Sequence, residues 1–301
     1  MLTFYKIYGS VFTKPNPPAR VTVACGDVLP PGNNIIIHLN LFSEQIWKHG
    51  RRGLHVQSRS YWAPANIGPY SQAKSLSLST RQADNSALFL VHIAGQIPLV
   101  PSTMALHTNP EVPMHLEDSG LCQKLITHEY SNFITQTALS LQHLWRIGNA
   151  TDVISWTAAV AYLSKDSHSK IAIKAKLAGR AWEYAHRGEY SEDQDSTQSE
   201  LIDGDRDLWE ERYNRGYVHK EFKKNTAKML PDWSIISGDT WFAPPFFAAE
   251  VEELPRGSDI EWHALLGVTK GPVVVTGSCL PLRAPLRLTD ILRLANWSFR
   301  I

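Results

Sequence analysis

The residues best placed to do chemistry lie in two short stretches, Tyr61–Ala73 (YWAPANIGPYSQA) and Ala94–Pro101 (AGQIPLVP). Neither has the period of a helix or of a plain strand. Pro64 and Pro69 fix φ, and Gly68 offers a place for a positive φ, so the first stretch specifies a rigid loop. That loop ends on the polar trio Tyr70, Ser71 and Gln72, which suits the lining of a small cleft, and Gly95 and Gln96 of the second stretch join it. A simpler arrangement also fits the spacing: a stiff turn between two strands, with Tyr70 packed flat in the core.

Other catalytic patterns are missing. The twelve histidines have no HExxH or HxH spacing, and His128-Glu129 is followed by Asn132 where a second metal ligand would have to stand, so no metal is expected. No G-x-S-x-G elbow occurs and no glycine-rich phosphate loop follows a strand. Cys25, Cys122 and Cys279 are far apart and odd in number, which argues against a disulfide framework and for a reducing compartment, the cytoplasm. A net charge of +1 gives no bulk pull toward nucleic acid or an anionic membrane. Trp62, Trp233, Trp241 and Trp262 lack basic neighbours and read as core or interface residues rather than a base-stacking platform.

The 301 residues, 43% hydrophobic and 20% charged, are enough for one large or two small globular domains. Short strands are expected at Leu54–Ser60 and Ser75–Ser79 around the loop, and buried strands at Ala87–Ile97 and Asp152–Leu163. Ile126, Tyr130, Phe133, Ile134, Thr137, Leu141 and Leu144 recur at helical steps and predict a helix that stops at Gly148. Further helices are expected at Ala172–His186 and Leu208–Phe222, separated by an acidic surface insertion over 189–207. There is also an internal echo. Pro17–Leu41 and Pro244–Leu266 each carry two prolines, an apolar strand, a Leu-Pro-x-Gly turn and a second strand.

The loop, the AGQIP strand and the LPRGSDIEW ending resemble the signature of the RidA (YjgF) family, and most of all the RidA-like C-terminal region of fungal-type diphthine–ammonia ligases. The resemblance implies an α+β fold: a two-layer sandwich, a mixed sheet with helices on one face, in a partial tandem repeat. In the family the echoed strand pair closes each domain. The expected layout is therefore the C-terminal half of a first repeat at 1–42, with a helix at Thr3–Phe12 and two strands within Arg20–Phe42. A linker at 43–53, a second domain at 54–267 and an unassigned tail at 268–301 follow.

In RidA-type deaminases an arginine after Pro-Ala grips a carboxylate and a glutamate on the last strand places water. Here Pro18-Ala19-Arg20 keeps the arginine in the first repeat, while Ile36 or Ile37 stands in for its glutamate. The second repeat keeps Glu261 and has Phe246 and Phe247 in place of the arginine. Arg20 and Glu261 are thus the catalytic candidates, either as one composite site or as an inherited binding residue and a sheet-edge pair. The resemblance further implies trimers or pseudo-trimers of RidA-like repeats, a small carboxylate ligand, and elongation factor two as a partner of the whole ligase. Family ligases bind ATP through a Ser-Gly-Gly-Lys-Asp-Ser motif, which this sequence lacks, so no cofactor is expected in this chain. The expected role is a binding or oligomerisation module. An imine or enamine deaminase is the alternative, and an endoribonuclease is disfavoured by the neutral charge.

Overall fold

A computed structural model describes residues 2–40, 51–77, 88–108, 129–187 and 243–269. The insertion at 189–207, the helix expected at Leu208–Phe222, Trp233, Trp241, most of the linker and nearly all of the tail lie outside the described residues.

The elements run α1 (Leu2–Val11), β1 (Arg51–Leu54), β2 (Ala73–Ser77), β3 (Phe89–Ile93), α2 (Ser131–Ala150), β4 (Ser155–Trp156), β5 (Ala159–Ser164), α3 (His168–Arg187), β6 (Phe246–Val251), β7 (Ile260–Ala264) and β8 (Gly267–Val268). One sheet has the order β1-β2-β3-β8-β4 and the other β6-β5-β7. Gln96 and Trp262 exchange both backbone hydrogen bonds, at 2.8 and 2.9 Å, and this bridge ties the end of β3 to β7. Pairing is antiparallel except between β5 and β6, which run parallel around α3. Helices and mixed sheets make this an α+β fold.

Alternation sorts the sheet residues by face. Ala159, Ala161 and Leu163 of β5 and Ile260, Trp262 and Ala264 of β7 join the main core, where they meet Phe133, Leu141, Leu144 and Trp145 of α2 and Ala178, Trp182 and Ala185 of α3. Trp182 stacks on Trp262 with centroids 5.7 Å apart and meets Trp145 edge-on at 5.6 Å. The intervening residues, Val160 and Tyr162 of β5 and Glu261 and His263 of β7, point the other way.

Several expectations need correction. The strand expected at Leu54–Ser60 lies earlier, at Arg51–Leu54, inside the stretch read as linker. Its register is set by Ala73–Leu76, and beyond Leu54 the chain instead bonds the signature loop, Asn66 N–H to Val56 at 3.1 Å. The two strands expected in Arg20–Phe42 do not form over its described residues, 20–40. Among the described residues this stretch has one bridge, Ala24 to Glu253, and Ile35, Ile36, Ile37 and Leu39 stand exposed. A strand needs a ladder partner, and apolar alternation alone supplies none. The long strand at Asp152–Leu163 is broken at Thr157–Ala158 into β4 and β5. Val268 and Thr269, read as tail, belong to the sheet through β8 and the Phe89 contacts. Helix α2 continues past Gly148 to Ala150, because that glycine is a packing position: a Cβ there would meet the Trp156 ring at 2.7 Å.

Candidate functional site

The signature loop is held from below by α2. Arg146 donates to the carbonyls of Trp62 at 2.6 Å and Tyr61 at 3.2 Å, which pins the loop's entry. Within the loop, Asn66 donates to the Tyr70 carbonyl at 2.6 Å and Gln72 Nε2 to the Pro64 carbonyl at 2.8 Å. Gln96 Nε2 reaches Gln72 Oε1 at 3.1 Å and the Ala94 carbonyl at 2.9 Å. The two sequence stretches are thus one hydrogen-bonded unit. Gly68 does not use its conformational freedom, since the positive-φ glycines among the described residues are Gly26, Gly32 and Gly257. The prolines and the side-chain hydrogen bonds shape the loop without it.

Pro64, Tyr70, Gln72, Gly95 and Gln96 line a cavity of about 10 Å³, which holds about one water. Pro69 touches the first helix instead, near Gly9 of α1. Ser71 is turned toward the N-terminal segment, where its Oγ donates to the Pro17 carbonyl at 2.6 Å and its N–H to Pro18 at 3.1 Å.

That segment brings Arg20 to the loop. The guanidinium lies 4.6 Å from the Tyr8 ring centroid and 5.3 Å from that of Tyr70, and donates to Thr22 Oγ1 at 2.6 Å. The Arg20 carbonyl accepts from Gly95 N–H at 3.3 Å. Glu261 lies across Gly95, close enough that a Cβ on that glycine would collide with its carboxyl group. Glu261 is buried rather than paired at a sheet edge, and its Oε2 has no hydrogen-bond partner among the described residues. Burial pushes its carboxyl up to about 8, with Arg20 pulling the other way. Its cross-strand neighbour is Tyr162, whose phenol is raised first by burial, then by Glu261 and Cys25. Arg20, Tyr70, Gly95 and Glu261 therefore meet in one place, although they are remote in sequence.

Phe246 and Phe247 are structural. Phe246 packs on Trp262 at 5.7 Å and Phe247 on Val160 and Ala249. Ile36 and Ile37 are exposed.

Sequence reading missed Tyr8, Tyr162 and Cys25, which surround the Arg20–Glu261 region. The strand alternation of β5 against β7 would have pointed to Tyr162. It also missed Lys174, buried between Asp166 and Asp259 at 3.2 Å each, beside a larger cavity of about 230 Å³ walled by Glu129, Asn132 and Phe133. The lysines there are taken by carboxylates, Lys170 by Glu129 at 2.8 Å, so the cavity presents no free positive charge. No group of three or more His, Cys, Asp or Glu among the described residues has the arrangement of a metal site, and no described helix is long and apolar enough to cross a membrane.

The chain resembles two curated proteins, and both are diphthine–ammonia ligases. That of Schizosaccharomyces pombe is 31% identical over 262 residues, 87% of this chain and 27% of that protein. That of Saccharomyces cerevisiae is 40% identical over 101 residues, 32% of this chain and 13% of the relative. The chain thus spans about a quarter of the length of the first relative and less of the second. No family model matches. Among solved structures, RidA from an Antarctic Psychrobacter aligns at TM-score 0.29 and 15% identity, covering 71% of this chain and 98% of that one. The YjgF gene product of E. coli aligns at 0.28 and 12%, covering 71% and 97%.

Proposed function

We propose that this chain is the RidA-like C-terminal portion of a diphthine–ammonia ligase, serving as a binding and assembly module rather than as the ligase itself. In that reading the whole protein amidates diphthine on elongation factor two, with ATP handled by an N-terminal domain. The similarity to the two ligases supports the reading. So does the composite site, which is the single observation that carries it: Arg20 sits over Tyr70 while Glu261 is buried behind Gly95. An arginine flanked by two rings and a neutral buried carboxyl suits a small carboxylate, gripped by the guanidinium and hydrogen-bonded by an acid rather than repelled by a second anion. The cavity beside Tyr70 takes about one water, so uptake of such a ligand there requires the loop that lines it to move.

The deaminase alternative gains from the same geometry. Arg20 and Glu261, which the sequence reading assigned to different repeats, both lie against Gly95, and this supports that alternative. Two measurements on the full chain separate the readings: calorimetric titration with pyruvate and other small carboxylates, and hydrolysis of 2-iminopropionate. The module reading expects binding that Arg20→Ala weakens at least about tenfold, with hydrolysis at the uncatalysed rate. Hydrolysis that falls on both Arg20→Ala and Glu261→Gln would replace the module with an enzyme.

A further inference from the structure

The segment Pro17–Cys25 runs across the body of the molecule. It is irregular, yet it is bonded at intervals along its length. Ser71 contributes its Oγ to the Pro17 carbonyl and its N–H to Pro18. Gly95 N–H donates to Arg20, and Ala24 exchanges two hydrogen bonds with Glu252 and Glu253, at 2.8 and 3.1 Å. Arg51 donates to the Asn16 carbonyl at 2.6 Å just before the segment begins. Pro17 and Pro18 lack the N–H groups that would compete for other partners and stiffen the backbone. The side chain of Arg20 is the one long anchor, laid between Tyr8 and Tyr70.

The described residues that follow the segment are held more loosely. Gly26–Val28 forms one short turn, and residues 31–40 are exposed throughout. The described residues 26–40 alone can reach on the order of 50 Å when extended, more than the segment needs to swing clear. A docked segment with main-chain bonds, one side-chain anchor and a long tether is the arrangement that exchanges between copies of a chain.

We propose that Pro17–Cys25 is a detachable strap, and that the groove beneath it recognises an extended Pro-Pro-Ala-Arg segment supplied either by the same chain or by a second copy. The groove is made of the Ser71 hydroxyl and amide, the Gly95 amide, the Glu252–Glu253 backbone and the Tyr70 ring. Lifting the strap removes Arg20 from the Tyr70 ring and from its backbone bond to Gly95. The inference uses the Arg20 position but not the identity of any ligand there: failure of strap exchange would leave carboxylate binding untouched, and failure of carboxylate binding would leave the strap.

The test uses the full chain and a fluorescent peptide spanning Asn16–Asp27. Wild-type protein keeps its groove filled and should bind the peptide poorly. The Arg20→Ala full chain, with its own strap weakened, should bind it at least about tenfold more tightly, and a peptide with alanine at its arginine should not bind. Equal binding to the two proteins, or none to folded Arg20→Ala, overturns the proposal. Hydrogen exchange on wild-type protein decides the matter independently if Arg20→Ala does not fold. The amides of Ala24, Ser71, Gly95 and Glu252 should open together, faster than the β5–β7 ladder. Exchange of these four only with the core, or at unrelated rates, overturns it too.

Discussion

Glu261 is the residue whose environment says most about the site. Its carboxyl is buried, one oxygen lacks a partner among the described residues, and its titration is raised to about 8. A carboxyl raised in the folded state binds protons more tightly there than in the unfolded chain. Its contribution to stability is therefore full below the ordinary carboxylate range and is lost as pH rises from about 4.5 through 8. Glu261→Gln keeps the shape and removes the ionisation. We expect little change in stability at pH 5 and a gain on the order of 1–3 kcal/mol at pH 9, read from urea melts at the two values. An equal effect at both would show that Glu261 ionises freely. Tyr70 gives a second test at this scale. Its hydroxyl lies at the edge of hydrogen-bonding range, 3.5 Å from the Ile67 N–H, and its ring is half-buried beneath Arg20. Tyr70→Phe keeps the ring and should cost less than about 1 kcal/mol. Tyr70→Ala removes the ring face and should cost more and weaken carboxylate binding. The reverse order in stability would make the hydroxyl the structural anchor.

The turn after β3 is where elements rather than single residues decide the site. Gly95 passes between the N-terminal segment, whose Arg20 carbonyl it bonds, and β7, whose Glu261 occupies the space a Cβ would take. Gly95→Ala must therefore displace Glu261 or push β3 away from β7, and overpacking of this kind costs about 1–3 kcal/mol. Pairing it with Glu261→Ala vacates the space. The double variant should be less destabilised than the sum of the singles, with a coupling of about 1 kcal/mol or more. Additive losses in thermal or urea melts would mean that the clash lies with the backbone instead. The same turn shows what sequence could and could not reveal. AGQIP pointed to the end of a strand and to Gly95 and Gln96 as lining residues, and the structure has Gln96 bonded to Gln72 within the loop unit. The partner across the glycine is more than 160 residues away, and no local pattern of propensity or period encodes such a contact. Elements defined by periodicity, α2, α3 and β3, were legible to within a few residues. Residues 20–42 were not, because their alternation specifies a strand but cannot say whether a neighbouring strand is there to receive it.

Across the whole molecule, buried histidines set the response to acid. His143 is fully enclosed and donates through Nε2 to the Leu99 carbonyl at 2.8 Å, while its Nδ1 has no partner among the described residues. Burial first, then Arg146, hold its titration down at about 3. His186 sits against Trp182 and Trp145 and is lowered by burial to about 4, and His263 is lowered to about 4 by burial and by His92. These three stand in different places: His143 joins α2 to the loop after β3, His186 closes the tryptophan cluster, and His263 lies on the sheet face opposite the helices. Each binds a proton more readily when unfolded. Their stabilising contribution is therefore present above pH 6.5 and lost as pH falls through 4 toward 3. Glu261 acts in the opposite sense on the alkaline side, so stability should peak near pH 6 to 7. Between pH 6.5 and 4 the protein should lose several kcal/mol, on the order of 1 kcal/mol or more per histidine. His143→Gln keeps a donor toward Leu99 but cannot ionise, so it should flatten part of the acid limb while costing some stability at pH 7. Urea melts from pH 4 to 8 on wild-type and His143→Gln protein check this. An acid limb of unchanged slope in the variant would mean that His143 is already protonated when folded, and that its carbonyl contact outweighs its burial.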